Sequence, residues 1–109
     1  PLDHSLIKVA SEDRVRALME AALYQEFIYE AAVNIVIAAK YERTTTRYGS
    51  RGVRYVHFEV GHVGQNISLE AVSLGLGSVM VGAFNDGLVK KLIEGAAEPL
   101  YIIPIGYKL

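Results

Sequence analysis

The stretch EVGHVGQNISLEA, Glu59 to Ala71, decides how the chain is read. It has no proline and carries Val, Ile, Leu and Ala at mixed spacing, which predicts a helix. Gly61 and Gly64 interrupt it, and each costs about 1 kcal/mol relative to Ala in a helix interior. At 100° per residue, Gly61, Gly64, Ser68, Ala71 and Gly75 fall within about 80° of arc. Val56, Val60, Val63, Ile67 and Leu74 form the adjacent sector. Phe58, Leu69, Val72 and Leu76 lie on the other side of the small stripe. Only Tyr55, Glu59, His62, Asn66, Glu70 and Ser73 make a polar face, so the pattern is that of a central helix. A stripe of small side chains lets another backbone come close. One occupant is the same helix from a second copy, crossing a two-fold axis. The other is a strand or bulky side chain of the same chain. A short chain has few helices of its own to offer, so self-association is the expectation.

Outward from this stretch the helical pattern runs from Arg51 to Leu76, with Gly75 and Gly77 as stop and turn. Upstream, VNIVIAA (Val33–Ala39) is β-branched and nearly continuous, as a strand buried on both faces would be. YERTTTRYG reads as a short helix ending at Gly49. Ser11 offers an N-cap for a helix from Glu12 to Leu23, followed by a helical turn at Gln25–Tyr29. SLIKVA (Ser5–Ala10) alternates and predicts a strand. Downstream, SVMVGAF (Ser78–Phe84) predicts another apolar strand. Asn85 or Asp86 caps a helix that stops at Gly95. PLYIIPIG (Pro99–Gly106) is the last strand, with Pro104 marking an edge or bulge. The resulting order β, α, β, long α, β, α, β predicts one mixed α and β domain over residues 1–109, with helices on both sheet faces and strands able to pair in parallel.

Composition narrows the function. The chain has 109 residues, 51% of them hydrophobic, and a net charge of -1, which suits a globular domain with a generous core. There is no basic excess of the kind nucleic-acid binders carry, so nucleic acid is not an expected partner. With no cysteine, disulfides and thiol chemistry are excluded. No apolar run approaches the ~20 residues that span a bilayer, so no membrane role and a cytoplasmic location are expected.

His57 and His62 are five apart, about 140° around a helix, which does not suit a shared metal. His62 belongs to the polar face, and His57 near the small stripe reads as packed or interfacial. GLGSVMVG (Gly75–Gly82) runs from helix into strand, the reverse of a dinucleotide-binding fingerprint. Gly82 and Ala83 end an apolar strand, where small side chains allow either a flat ligand or a neighbouring helix to approach the backbone. Arg43, Arg47, Arg51 and Arg54 lie near Glu42 and Glu59, which predicts a salt-bridged surface rather than an anion site.

The pieces YERTTTRYGSRGVRY, EVGHVGQN, LGLGSVMVGAF and the closing IPIGY resemble the FMN-dependent nitroreductase superfamily, most closely its SagB-type, azoline-dehydrogenase-like branch. The resemblance covers nearly the whole chain. It implies an α+β, nitroreductase-like fold in which a central sheet is flanked by helices. It further implies an obligate homodimer packed through the long central helices, here through Gly61, Gly64, Ser68 and Ala71. FMN would lie at the dimer interface, and hydride would pass from NAD(P)H or a reduced substrate to the flavin. By the same resemblance Gly82 and Ala83 contact the flavin ring, backbone donating to N5, and Lys108 contacts its phosphate. Azoline-oxidising relatives carry a Lys-Tyr pair where this chain has Arg47 and Tyr48. Arg does not serve as a general base, which leaves Tyr48 as the candidate proton donor. Family chains run to roughly twice this length, and this one matches their C-terminal half. A separate N-terminal fragment is therefore one expected partner. A non-catalytic flavin-binding or dimerisation module is the alternative reading.

Overall fold

Ile102 and Ile103 are neighbours in sequence, and both are fully buried. Successive strand residues point to opposite faces, so this strand must be covered on both sides. The computed structural model, which describes residues 12–95 and 97–107, shows how. The elements are α1 (Glu12–Ala21), α2 (Glu26–Glu30), β1 (Val33–Ala39), α3 (Glu42–Tyr48), a 3-10 turn (Gly49–Arg51), α4 (Gly52–Ser73), β2 (Leu76–Ser78), α5 (Asp86–Leu92) and β3 (Glu98–Tyr107). β3 is the middle of three strands in the order β1-β3-β2.

One face of the sheet meets α1, α2 and α5. Ile102 joins Leu18, Ala21, Ala22, Ile28, Val81 and Val89 there in one apolar cluster. α4 packs on β2 and β3, and Tyr101, one residue from Ile102 on the strand, reaches the Cβ position of Gly64. The long helix therefore covers the other face. Asn34 on β1 donates from Nδ2 to the Ile28 carbonyl at 2.9 Å, which ties the end of α2 to the sheet.

Both pairings of β3 are antiparallel, so the expected parallel ladders do not form. β1 and β2 point the same way but are separated by β3. The predicted strand Ser78–Phe84 is also displaced. β2 covers Leu76–Ser78, and a single bridge follows where Val81 and Ile102 exchange bonds of 2.8 and 3.0 Å. Pro104 explains the interruption. It lies in register opposite Val79, whose N–H still donates to its carbonyl at 3.4 Å, but proline has no N–H to return. Pro104 thus breaks the ladder from within the central strand rather than marking an edge. The bulge falls elsewhere, between Ile37 and Ala38. Gly77, expected in a turn, pairs with Gly106 inside β2.

The helix ends follow their chemistry. Asn85 caps α5, its side-chain oxygen accepting from Leu88 N–H at 3.0 Å, and Lys90 and Lys91 occupy the last turn, where cations oppose the helix dipole. Gly49, at φ 65°, ends α3, and Gly75, at φ 74°, follows α4. The predicted strand Ser5–Ala10 lies outside the described residues.

α4 corrects the expectation for its small stripe. A Cβ on Gly64 would lie 2.7 Å from Met80 Sδ and 3.5 Å from the Tyr101 ring. Ala71 is buried, and Ser68 accepts from the Ser78 hydroxyl at 3.3 Å. The chain's own sheet therefore occupies the stripe at Gly64, Ser68 and Ala71. Gly61 meets nothing within 4 Å. Phe58, Leu69 and Val72, the most exposed large apolar side chains of α4, lie on the side that Gly61 borders.

Candidate functional site

The strand register collects several groups at one end of the sheet. β1 leaves at Ala39, opposite Glu98, the first residue of β3. On the other side of β3 the chain leaves after Val81, opposite Ile102. Tyr41 and the Gly82–Asp86 segment therefore flank the same end of β3, about two strand spacings, ~10 Å, apart in the sheet direction.

Gly82 and Ala83 are exposed there. Among the described residues, neither N–H has a hydrogen-bond acceptor. A Cβ on Gly82 would meet nothing closer than the Tyr101 ring at 4.0 Å. The segment is nonetheless held in place. Gln25 Nε2 donates to the Ala83 carbonyl at 3.2 Å and to the Ala22 carbonyl at 2.8 Å, and Asn85 N–H donates to the Ala21 carbonyl at 2.8 Å. Left-handed Leu23 and Tyr24, at φ 60° and 58°, turn the chain out of α1 so that Gln25 can make this bridge. The result is an exposed stretch of backbone with open space before Gly82 and a clamped carbonyl at Ala83.

The helix above this end overhangs it. Val53, His57, Val60, Gly64 and Ala71 share one side of α4 by helical geometry. Val60, Gly64 and Ala71 are buried under the sheet, whereas Val53 and His57 are exposed. The sheet has ended beneath the helix's first turns. Tyr41 stands in that space. Its hydroxyl lies 2.7 Å from His57 Nε2, with the two rings edge to face at 5.7 Å. Burial first, then the carboxylates of Glu98 and Asp86, raise the Tyr41 hydroxyl above its ordinary value of 10.0. Sequence reasoning missed this pair. Its members are 16 residues apart, and only the crossing of α3 on α4 joins them. Gly52 carried the one local signal, because a Cβ there would sit 3.0 Å from the Thr45 backbone.

Tyr48, the expected proton donor, lies elsewhere. It is half exposed at the end of α3, edge to face with Tyr55 at 5.2 Å, with the Arg47 guanidinium 5.4 Å from its ring centre. Lys108 lies outside the described residues. Among the described residues, Arg43, Arg47, Arg51 and Arg54 form none of the predicted salt bridges. The ion pairs among the described residues are Arg14–Glu94 and Lys90–Glu98. His62 is exposed, as its polar face predicted. No cluster of three or more metal-ligating side chains occurs among the described residues. None of the helices there is long and apolar enough to cross a membrane. A groove of about 400 Å³ between α1 and α5, lined mainly by Ala17, Ala21, Tyr24, Leu88 and Leu92, lies on the opposite layer.

Known proteins resemble this chain in sequence and fold. The sequence profile of the nitroreductase family matches residues 1–107. A Methanocaldococcus jannaschii protein described as a "putative nitroreductase" is 49% identical over 109 residues. The match takes in 100% of this chain but 55% of that relative, so the chain spans about half its length. A crystal structure from Anabaena variabilis, described in the same words, superposes with a TM-score of 0.79 at 31% identity, over 86% of this chain and 20% of the other. The NADPH:FMN oxidoreductase of Vibrio harveyi, solved with NAD+, has a TM-score of 0.79 at 23% identity, over 94% and 49% of the two chains, and establishes likeness of fold.

Proposed function

The chain belongs to the nitroreductase family, and we propose that it forms the flavin-facing part of an FMN-dependent oxidoreductase passing hydride between NAD(P)H, or another reduced substrate, and an acceptor. The observation that carries this is the exposed Gly82–Ala83 backbone at the end of the sheet. Its two N–H groups have no acceptor among the described residues, and the space before Gly82 is open. A flat heteroaromatic ring with acceptor atoms along one edge fits such a surface, so the residues present suit a flavin ring. Bound FMN would supply reversible two-electron chemistry, and the chain would position it. Gly82 and Ala83 would hold the ring edge, Gln25 would keep their backbone from turning inward, and Lys108 would meet the phosphate. Tyr48 would act only in a site that a second chain completes.

The same reading makes the protein a homodimer, through a different face from the one its sequence suggests. Gly64, Ser68 and Ala71 already pack on the sheet. Phe58, Gly61, Leu69 and Val72 face outward and offer a second copy an apolar surface. The SagB-type branch, the C-terminal position of the chain within its family and a cytoplasmic location belong to this proposal.

A second reading follows from the chain's 55% share of its archaeal relative. Here the flavin site is complete only with a separate N-terminal polypeptide. FMN titration of the purified chain, followed by quenching of flavin fluorescence, tests the first reading. Saturable binding is expected, and Gly82→Val, which fills the open space, weakens it on the order of tenfold. A chain that takes FMN only after a companion polypeptide is added supports the second reading and overturns the first.

A further inference from the structure

The Tyr41–His57 pair has no part in the flavin contacts above. It stands at the same sheet end as Gly82 and Ala83, beneath the overhanging turns of α4. We propose that this pair delivers the proton to the acceptor reduced at that end, Tyr41 handing it over and His57 replacing it from solvent. The inference rests on the flavin-enzyme reading.

The geometry sets the order of events. With His57 neutral, the Tyr41 hydroxyl donates to Nε2 across 2.7 Å, and its proton is turned away from any acceptor. When His57 is protonated, Nε2–H donates instead, and the Tyr41 O–H is free to point outward. The acceptor gains a hydride originating from NAD(P)H and one proton from the Tyr41 oxygen. The phenolate then takes the Nε2 proton of the imidazolium, and exposed His57 regains one from water. One hydride and one proton leave the donors, and both arrive on the acceptor.

The charged groups around the pair come from several elements. Glu98 on β3 and Asp86 on α5 act on Tyr41, and Lys90 holds Glu98 at 2.5 Å. Lys40 and Glu42 flank Tyr41 in the chain, and Arg54 lies one turn before His57. A neutral His57 keeps the Tyr41 O–H bonded to Nε2, so acceptor reduction falls as rising pH removes the imidazolium.

Nitrogen-15 NMR of the histidine rings and stopped-flow kinetics test the proposal together. In the intact chain neutral His57 should carry its proton on Nδ1, and Tyr41→Phe should return it to the Nε2–H tautomer. With NADPH as reductant and 4-nitrobenzoate as acceptor, Tyr41→Phe should leave flavin reduction unchanged. Re-oxidation should slow on the order of 100-fold and lose its pH dependence. His57→Ala should slow the same step and recover with added imidazole, while Tyr29→Phe, on the other layer, should change neither step. Unaltered re-oxidation and pH profile in Tyr41→Phe, or an Nε2–H tautomer in the unsubstituted protein, overturns the pair's role and leaves the flavin reading standing. A chain that takes no flavin, alone or with a companion, overturns both.

Discussion

Gly61 and Gly64 are less than one turn apart on α4 and meet different surroundings. A Cβ on Gly64 would collide with Met80 Sδ and touch Tyr101, whereas one on Gly61 would meet open space. Both glycines carry the same helix-propensity penalty of about 1 kcal/mol. Only Gly64 recovers it within the chain, by admitting the sheet. Helical periodicity reports which residues share a sector, but the edge of the covered sector falls between them. A stripe about 80° wide by that geometry spans it.

The largest expected effect tests the covered side. Gly64→Leu forces its side chain against Met80 and the Tyr101 ring and should destabilise the fold by about 3 kcal/mol, near the upper end for an overpacked core. Chemical denaturation with urea measures this as a lower midpoint at an unchanged slope. A variant as stable as the parent would mean that Met80 swings aside freely, and the contrast with Gly61 would disappear.

The open side gives a smaller change of opposite sign. Gly61→Ala should stabilise the chain by about 1 kcal/mol, the propensity difference with no clash to offset it. Gly61→Leu sharpens the comparison by separating two reasons for a glycine there. If a second copy packs on Phe58, Gly61, Leu69 and Val72, sedimentation of the Leu variant should show a smaller mass than the parent, with the fold intact. If both run as the same species, that face binds nothing that needs a glycine.

The same division runs through what the sequence makes legible. β1 has the expected extent, Val33–Ala39, because a β-branched run marks a strand without knowledge of its neighbours, but it lies at the sheet edge, half-buried or exposed rather than buried on both faces. Helix ends at Gly49 and Asn85 were equally local, set by a left-handed glycine and a side-chain cap. Strand order was not legible, since β1 and β3 pair residues 59 to 72 positions apart in sequence. The break in the β2 ladder is written at Pro104, on the partner strand rather than on the broken one. The site divides likewise. The small residues Gly82 and Ala83 marked, from sequence alone, a stretch that either a flat ligand or a neighbouring helix could approach. Tyr41 and His57 showed nothing until α3 crossed α4 and the sheet ran out beneath the helix.

The smallest effect probes that overhang. Among the described residues, Tyr41 is the one group whose ionisation the fold shifts clearly, upward from 10.0, by burial and by Glu98 and Asp86. A group raised in the folded state holds its proton more tightly there than in the unfolded chain. Its contribution is therefore fully present below about pH 10 and is lost as pH rises through the folded value. At neutral pH, Tyr41→Phe should lose about 1 kcal/mol with the His57 hydrogen bond. That gap to the parent should stay level to about pH 9 and narrow above pH 10 as the parent's own advantage fades. Urea midpoints for the two proteins across that range decide it. A gap that stays level at alkaline pH would mean that solvent reaches Tyr41 from all sides. The first turns of α4 would then shelter nothing, and the helix would differ along its length only in what lies under it.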